Sequence, residues 1–347
     1  MSLQDFLLHN DLVPDGLIRM RIRALLRDRL HEISKNTDSE FATILKRSPL
    51  AVHTADANEQ HYEVPTAFYL RALGPRLKYS CAWYETGTES LEDAEVAMLE
   101  KTCERAELAG LPAGSKVLEL GCGWGSLTLH MAVRFPHLEF TGVSNSRTQK
   151  AFIDAQCAQR QIQNVRIITA DMNQFIPPEA GSYARVVSVE MFEHMRNYEL
   201  LLKRIASWLT RDGKLFVHIF THRKNPYLFE VRDDSDWMSR YFFTGGQMPS
   251  DRLFYQFQDD LIIKNHWTVN GRHYSQTSEH WLQNMDSNRE EILALFQATY
   301  GRGNETRWWV YWRVFFMACA ELWGFRDEHG KLGEEWLVSH YLFEKPR

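Results

Sequence analysis

The chain has few cysteines and nothing arranged to use them. Five occur in 347 residues, Cys81, Cys103, Cys122, Cys157 and Cys319, and no two form a CxxC pair. An odd, scattered set argues against a disulfide framework and a zinc cluster, and it suits reduced thiols in the cytoplasm. An excess of positive charge is also lacking. The formal net charge is −5, so a nucleic-acid partner has no bulk electrostatic support. No apolar run reaches the ~20 residues of a membrane span. The most apolar stretch, WWVYWRVFFMACAELWGF (308–325), is broken by Arg313 and Glu321. It reads as a core helix, with no stable membrane insertion. The opening MSLQDFLLHNDLVPDG shows no cleavable apolar segment, and internal repeats are absent. The length suffices for one large domain or two modest ones, and it leaves room for a homodimer.

What is present is an alternation of short apolar runs with helical patterns. LIRMRIRALLRDRLHEI carries apolar residues at three- and four-residue intervals, which predicts an amphipathic helix in an N-terminal arm spanning 1–60. SLEDAEVAMLEKTCERAELAGL (90–111) predicts a second helix, capped by Ser90 and stopped by Gly110. Strands are then expected at 116–120, 138–144, 165–170, 184–190 and 214–220, with helices between them. The last of these, YELLLKRIASWLTRDG, is expected to stop at Gly213. The pattern predicts an α/β, doubly wound, mainly parallel sheet over a core at 61–222. An aromatic-rich insertion follows at 223–290, and 291–347 supplies a long helix and the strand WLVSHYLFEK to complete the core.

VLELGCGWGSLTL places Gly121, Gly123 and Gly125 between a strand and a helix. Glycines there permit a tight turn and close backbone approach to a ligand at the helix N-terminus. A dinucleotide fingerprint needs a third glycine where this chain has Ser126. The strand also carries Glu119, which opposes a phosphate but suits a cation such as the amino group of S-adenosylmethionine. E-x-G-x-G-x-G is the methyltransferase form of this turn. The second strand lacks the acid that ordinarily holds ribose hydroxyls, leaving that work to Ser144, Asn145 and Gln149. Asp171 can accept from the adenine amino group with Met172 beside the ring; the plainer role for Asp171 is a turn or cap acid.

SVEMFEHM (188–195) sets Glu190, Glu193 and His194 at the end of the fourth strand. Such groups cost free energy to bury unless paired or needed, so this is either a polar surface turn or a site that moves protons. The first histidine of an H-x-x-E-H zinc motif is missing, which rejects a metal site.

The missing acid, GVSNSRTQK and SVEMFEHM together resemble the cyclopropane-fatty-acid-synthase-like methyltransferases, and most closely their coclaurine N-methyltransferase group. NEQHYEVPTAFY, KYSCAWYE, LELGCGWGS, DDSDWMSRYFFTGGQMPS, WTVNGRHYSQTSEHWLQNMD and EEWLVSHYLFEK resemble that group in the same order. The resemblance implies a class I S-adenosylmethionine-dependent methyltransferase fold whose 223–290 region binds the acceptor. It implies that Tyr62, Tyr79 and Ser80 contact the methionine end of the cofactor, with Gly121, Gly123, Trp124 and Gly125 beneath it. It also implies that Glu190, Glu193 and His194 lie at the amine that receives the methyl. The chemistry is consistent: an ammonium has no lone pair, so a carboxylate holds it and a base removes its proton.

The lipid branch of the same family supplies an alternative, cyclopropane-fatty-acyl-phospholipid synthesis. There, residues matching Cys81, Glu193, His218 and Tyr274 hold a bicarbonate that takes the proton lost after methyl addition to an alkene. A glycine is expected in that branch at the position of Glu190. Cys319, on an apolar helix, reads as an inert core thiol. A third reading, a methyltransferase fold that binds without catalysis, has the intact Glu119, glycines and titratable cluster against it.

Overall fold

The computed structural model describes residues 9–52, 64–230, 242 and 244–346. The short apolar runs form one sheet: β1 (Lys116–Leu120), β2 (Glu139–Ser144), β3 (Val165–Thr169), β4 (Tyr183–Val189), β5 (Leu209–His222), β6 (Ile262–Val269) and β7 (Trp336–Glu344). Its order is β3-β2-β1-β4-β5-β7-β6. β1 to β5 run parallel, and β7 lies antiparallel between β5 and β6. Chain order reverses where β1 meets β4, so a crevice opens at their carboxyl ends.

The helices are α1 (Asp15–Ile33), α2 (Asp38–Arg47), α3 (Thr66–Ala72), α4 (Leu91–Arg105), α5 (Ser126–Arg134), α6 (Arg147–Arg160), α7 (Tyr198–Trp208), α8 (Arg272–Ser287), α9 (Arg289–Tyr300) and α10 (Glu305–Trp323). Because strand side chains alternate between faces, β5 serves two cores at once. Phe216 packs with Leu99 of α4 and Leu127 and Met131 of α5. Val217 and Ile219 pack with Leu201 and Ile205 of α7 and Phe41 and Leu45 of α2. A third, aromatic cluster from α3, α8 and α10 includes Phe68, Trp281, Trp312 and Phe316, and it meets Phe220 and Trp336 beyond the carboxyl ends of the parallel strands. That cluster closes the crevice from above.

The arm packs against this aromatic layer. Ile33 is buried, and Ile18, Ile22, Leu26 and Leu30 lie against the cluster. Arg19 makes a forked pair with Glu279 of α8 and reaches Glu321 of α10, which Arg23 also bonds. Arg313 of α10 bonds back to Asp15. The charges that break the apolar run at 308–325 are therefore the ones that pin α1.

Three local expectations differ from the structure. α4 begins at its Ser90 cap, whose hydroxyl accepts from Asp93 N, but it ends at Arg105 well before Gly110. Glu107 takes the left-handed backbone at φ +55. Leu108 N–H then bonds Cys103 O, and Glu107 N–H bonds Glu104 O, a Schellman stop without glycine. α7 stops at Trp208 because the chain enters β5 at Leu209. Gly213 is instead a steric requirement within β5, since a Cβ there would lie 2.8 Å from Tyr183 O. β6 lies in the 223–290 stretch, where the sequence predicts no strand; it is a half-buried edge strand with a register irregularity between Ile263 and Asn265. Gly213→Ala is expected to lower stability by roughly 1–3 kcal/mol through overpacking, read as an earlier urea midpoint at unchanged m-value.

Candidate active site

The crevice is floored by the glycine turn. Gly121, Gly123 and Gly125 all take positive φ, at +77°, +52° and +79°. A Cβ at Gly121 would lie 2.8 Å from Met191 and one at Gly125 2.7 Å from Ile153, but at Gly123 nothing lies within 4 Å. Two glycines are thus required by packing, and the middle one faces open space where a ligand can approach the backbone. Trp124, also on the crevice wall, is buried with its ring centroid 5.1 Å from that of Tyr69 and 5.6 Å from that of Phe152.

Glu119 lines the crevice and is 3% exposed. Burial raises its pKa to about 7, opposed only by a hydrogen bond from the Thr128 hydroxyl. A buried acid poised near neutrality matches a cationic ligand. Ser144, Asn145 and Gln149 line the wall at the end of β2. Ser144 Oγ donates to Gln149 Oε1 at 2.7 Å and accepts from Ser146 N, so a connected amide and hydroxyl stand at the end of β2, where no acid is present. Asp171 and Met172 line the next stretch. Asp171 Oδ1 accepts from Asn173 N at 2.8 Å, so it serves a turn as well as the crevice.

Beyond β4 the backbone does something unusual. Glu190 takes φ +48, a left-handed conformation that glycine adopts easily and other residues rarely do. The consequence is that its carboxylate points into a nest of donors. Oε1 accepts from Cys81 N at 3.0 Å and lies 3.1 Å from His218 Nε2, and Oε2 accepts from the Tyr274 hydroxyl at 2.5 Å. Glu190 still lines the crevice, with a lone-pair direction remaining on Oε2. Burial raises its pKa to about 7 against the pull of Lys78, Tyr274, Cys81 N and His194. His194 is on the crevice wall too, and burial depresses its pKa, opposed by Glu190. It is therefore neutral at neutral pH.

Not every residue expected at the site lines it. Tyr79, Ser80 and Tyr274 do. Glu193 lies behind the wall, 1% exposed. Its Oε1 accepts from Phe220 N at 2.8 Å, and its Oε2 has no partner among the described residues. Burial, then Glu190, push its pKa far up, so it is a neutral acid. Cys81 and His218 are also behind the wall, reaching the crevice through Glu190; Cys81 contributes its amide while its thiol bonds Ala82 O. Tyr62 lies outside the described residues. Cys319 is on the wall, but burial raises its thiol far above the usual range.

Sequence reasoning missed Lys78. It is 3% exposed, lines the crevice, and donates to Ser80 Oγ and to Cys81 O at 2.7 Å. Its position beside the YSC stretch was the available signal. Phe220, Phe315, Trp281 and Trp323 complete an aromatic wall, with Tyr274 stacked on Trp323 at 3.9 Å between centroids. Among the described residues no group of His, Cys, Asp and Glu is placed to hold a metal.

A family model described as mycolic acid cyclopropane synthetase matches residues 51–330. The chain belongs to that family. The (S)-coclaurine N-methyltransferases of Thalictrum flavum subsp. glaucum and Papaver somniferum are 39% and 36% identical to it, over 96% of this chain in each case and 93% and 95% of theirs. A solved coclaurine N-methyltransferase bound to N-methylheliamine and S-adenosylhomocysteine aligns with a TM-score of 0.92 at 36% identity, covering 99% of each chain. The cyclopropane-fatty-acyl-phospholipid synthase of Escherichia coli (strain K12) is 26% identical over 78% of this chain and 64% of its own. This member of the family is an S-adenosylmethionine-dependent N-methyltransferase of the class I fold. The lipid and non-catalytic readings are less supported.

With the pKa of Glu119 raised to about 7 by burial, a cationic group bound against it is expected to favour its ionised form, and cofactor affinity is expected to rise with pH. S-adenosylhomocysteine is expected to bind roughly tenfold more tightly at pH 8 than at pH 6. Calorimetry on Glu119→Gln should show weak binding at both pH values, without that slope.

Proposed function

We propose that the chain methylates the nitrogen of a small aromatic amine of alkaloid type, with Glu190 holding the ammonium and His194 taking its proton. The observation that carries this reading is the placement of the Glu190 carboxylate. In the lipid reading, a bound bicarbonate would be held by groups matching Cys81, Glu193, His218 and Tyr274. Here a carboxylate of the chain itself already accepts from Cys81 N and Tyr274 and lies against His218. It also sits at a backbone conformation where glycine would be unstrained, and such strain is retained where function requires it.

The fit to the cofactor rests on the open space at Gly123 and on buried Glu119. S-adenosylmethionine supplies, when bound, an electrophilic methyl on a sulfonium. Glu119 would then hold the amino group, Ser144, Asn145 and Gln149 the ribose, and Asp171 with Met172 the adenine, while Tyr79, Ser80, Trp124, Gly121 and Gly123 would enclose the rest, with Gly125 shaping the turn from behind. On the acceptor side, an entering ammonium stabilises ionised Glu190, and Oε2 receives one of its hydrogens. Neutral His194 accepts a proton from nitrogen and leaves a lone pair facing the methyl. The aromatic wall excludes water and holds the amine by its ring and its charge. Glu193, neutral behind Phe220 N, supports this arrangement from outside contact with the amine.

No described helix is long and apolar enough to cross a membrane. A cytoplasmic location is proposed from the five free, buried thiols, and sedimentation velocity distinguishes a monomer from a homodimer.

Two measurements test the reading. Mass spectrometry with (S)-coclaurine and with unsaturated phospholipid vesicles should find methylated amine and no cyclopropanated lipid, at a rate unchanged by degassing and bicarbonate removal. Loss of activity on degassing, restored by bicarbonate, would return the lipid reading. Glu190→Gln and His194→Ala should each lower kcat by about 10²–10⁴ while S-adenosylhomocysteine affinity stays within twofold.

A further inference from the structure

A row of hydrogen bonds runs from the rim of the molecule to Glu190. Arg105, the last residue of α4, lies against two indoles, its guanidinium carbon 5.9 Å from the ring centre of Trp83 and 5.0 Å from that of Trp267. Its Nη1 lies 2.7 Å from His340 Nδ1. His340 Nε2 lies 2.9 Å from His218 Nδ1, and His218 Nε2 lies 3.1 Å from Glu190 Oε1. The sheet register builds this row, because Val189, His218, His340 and Trp267 are lateral partners across β4, β5, β7 and β6. Both histidines are fully buried.

The donor at one end decides every proton in the row. A guanidinium only donates, so His340 Nδ1 must accept. A ring with that nitrogen unprotonated carries its proton on Nε2 and donates to His218 Nδ1. His218 in turn carries its proton on Nε2 and donates to Glu190. The reverse direction, with protonated Glu190 donating to His218, would leave His340 with no proton at all. A second proton on His218 meets the same obstacle. Burial also holds both imidazoles neutral, helped for His218 by Lys78 and Arg105.

We infer that Arg105 and His340 are positioning residues for methyl transfer, fixing His218 as a one-way donor that keeps Glu190 ready to receive a cationic amine. The inference rests on the reading of Glu190 given under Proposed function. The row acts alongside the other groups that face this carboxylate. Lys78 and the Cys81 amide approach from the loop before α4, and Tyr274 from α8. His194 and Glu193 follow it in the chain, and the Cys319 thiol faces it from α10. At the outer end, Glu104 and Lys101 are the charged groups beside Arg105 and His340. Among the described residues, only the row from Arg105 imposes a direction on His218.

The test uses the full-length protein in two measurements. In histidine-selective 15N spectra, with His218 and His340 assigned by subtraction in His218→Gln and His340→Gln, both rings should show protonated Nε2 and unprotonated Nδ1. The second is the affinity of (S)-coclaurine in the dead-end complex with S-adenosylhomocysteine, measured from pH 6 to 9. Arg105→Met, at the half-buried rim, and His340→Leu should move the acid limb of that affinity upward. Amine binding should then weaken by about three- to tenfold at pH 6.5 and stay at the parental value near pH 9, with S-adenosylhomocysteine affinity unchanged. His340→Gln, whose amide can accept from Arg105 and donate to His218, should restore the limb. A protonated Nδ1 on either ring overturns the inference. So does a uniform loss at all pH values, or a limb that does not move. If Glu190→Gln leaves amine affinity intact in an otherwise parental chain, the acceptor reading has failed and the inference falls with it.

Discussion

The structure depends on keeping one carboxylate in a dry place. Glu190 follows β4 directly, and water would hydrate its charge if the crevice were open. Burial favours the neutral acid, and the surrounding elements are placed to oppose that. α8 sends Tyr274, the loop ahead of α4 offers the Cys81 amide and Lys78, and β5 sets His218 beside the second lone pair of Oε1. The left-handed backbone at Glu190 is what turns the side chain toward these donors.

Two acids, buried Glu119 and the largely enclosed Glu190, divide the crevice. Glu119 and Glu190 both rise to about 7, and each faces a region suited to one positive charge. The cofactor and a protonated amine are both cationic at nitrogen, so in the proposed arrangement their binding would compensate two groups whose charged forms the interior disfavours. Glu193, a third acid in the same neighbourhood, is pushed much further up and stays neutral. One stretch of sequence therefore places two acids three positions apart that differ in the donors they meet: Glu190 has Cys81 N, Tyr274 and His218 beside it, and Glu193 has Phe220 N.

The sheet supports a division of labour between its parts. Its parallel half, β1 to β4, supplies the glycine turn and the polar strand ends that line the crevice on the side proposed for the cofactor. The elements added after β5 place Tyr274 on α8 and Phe315, Cys319 and Trp323 on α10 along the wall proposed for the acceptor, with His340 on β7 behind it. The arm locks this second half in place through Arg19 and Arg23 on Glu321 and Arg313 on Asp15.

Much of this was legible from local sequence. Short apolar runs, the spacing of Gly121, Gly123 and Gly125, the acid at Glu119 and the polar cluster after β4 depend on chemistry carried by neighbours in the chain. They are enough to specify a doubly wound sheet and a crevice for a sulfonium cofactor. Helix ends were less legible, because the Schellman stop at Glu107 uses a left-handed glutamate where glycine is usual. The half-buried β6 carries no strong alternation. What only the tertiary structure decided is which titratable groups share a dry space. Glu193 and Glu190 look equivalent as letters, and nothing local says that one faces Phe220 N and the other the crevice. Lys78, His218, His340 and Arg105 come from four distant segments, brought together by sheet register and helix packing. Their ionisation follows from burial and direction of donation, which exist only once the chain has folded.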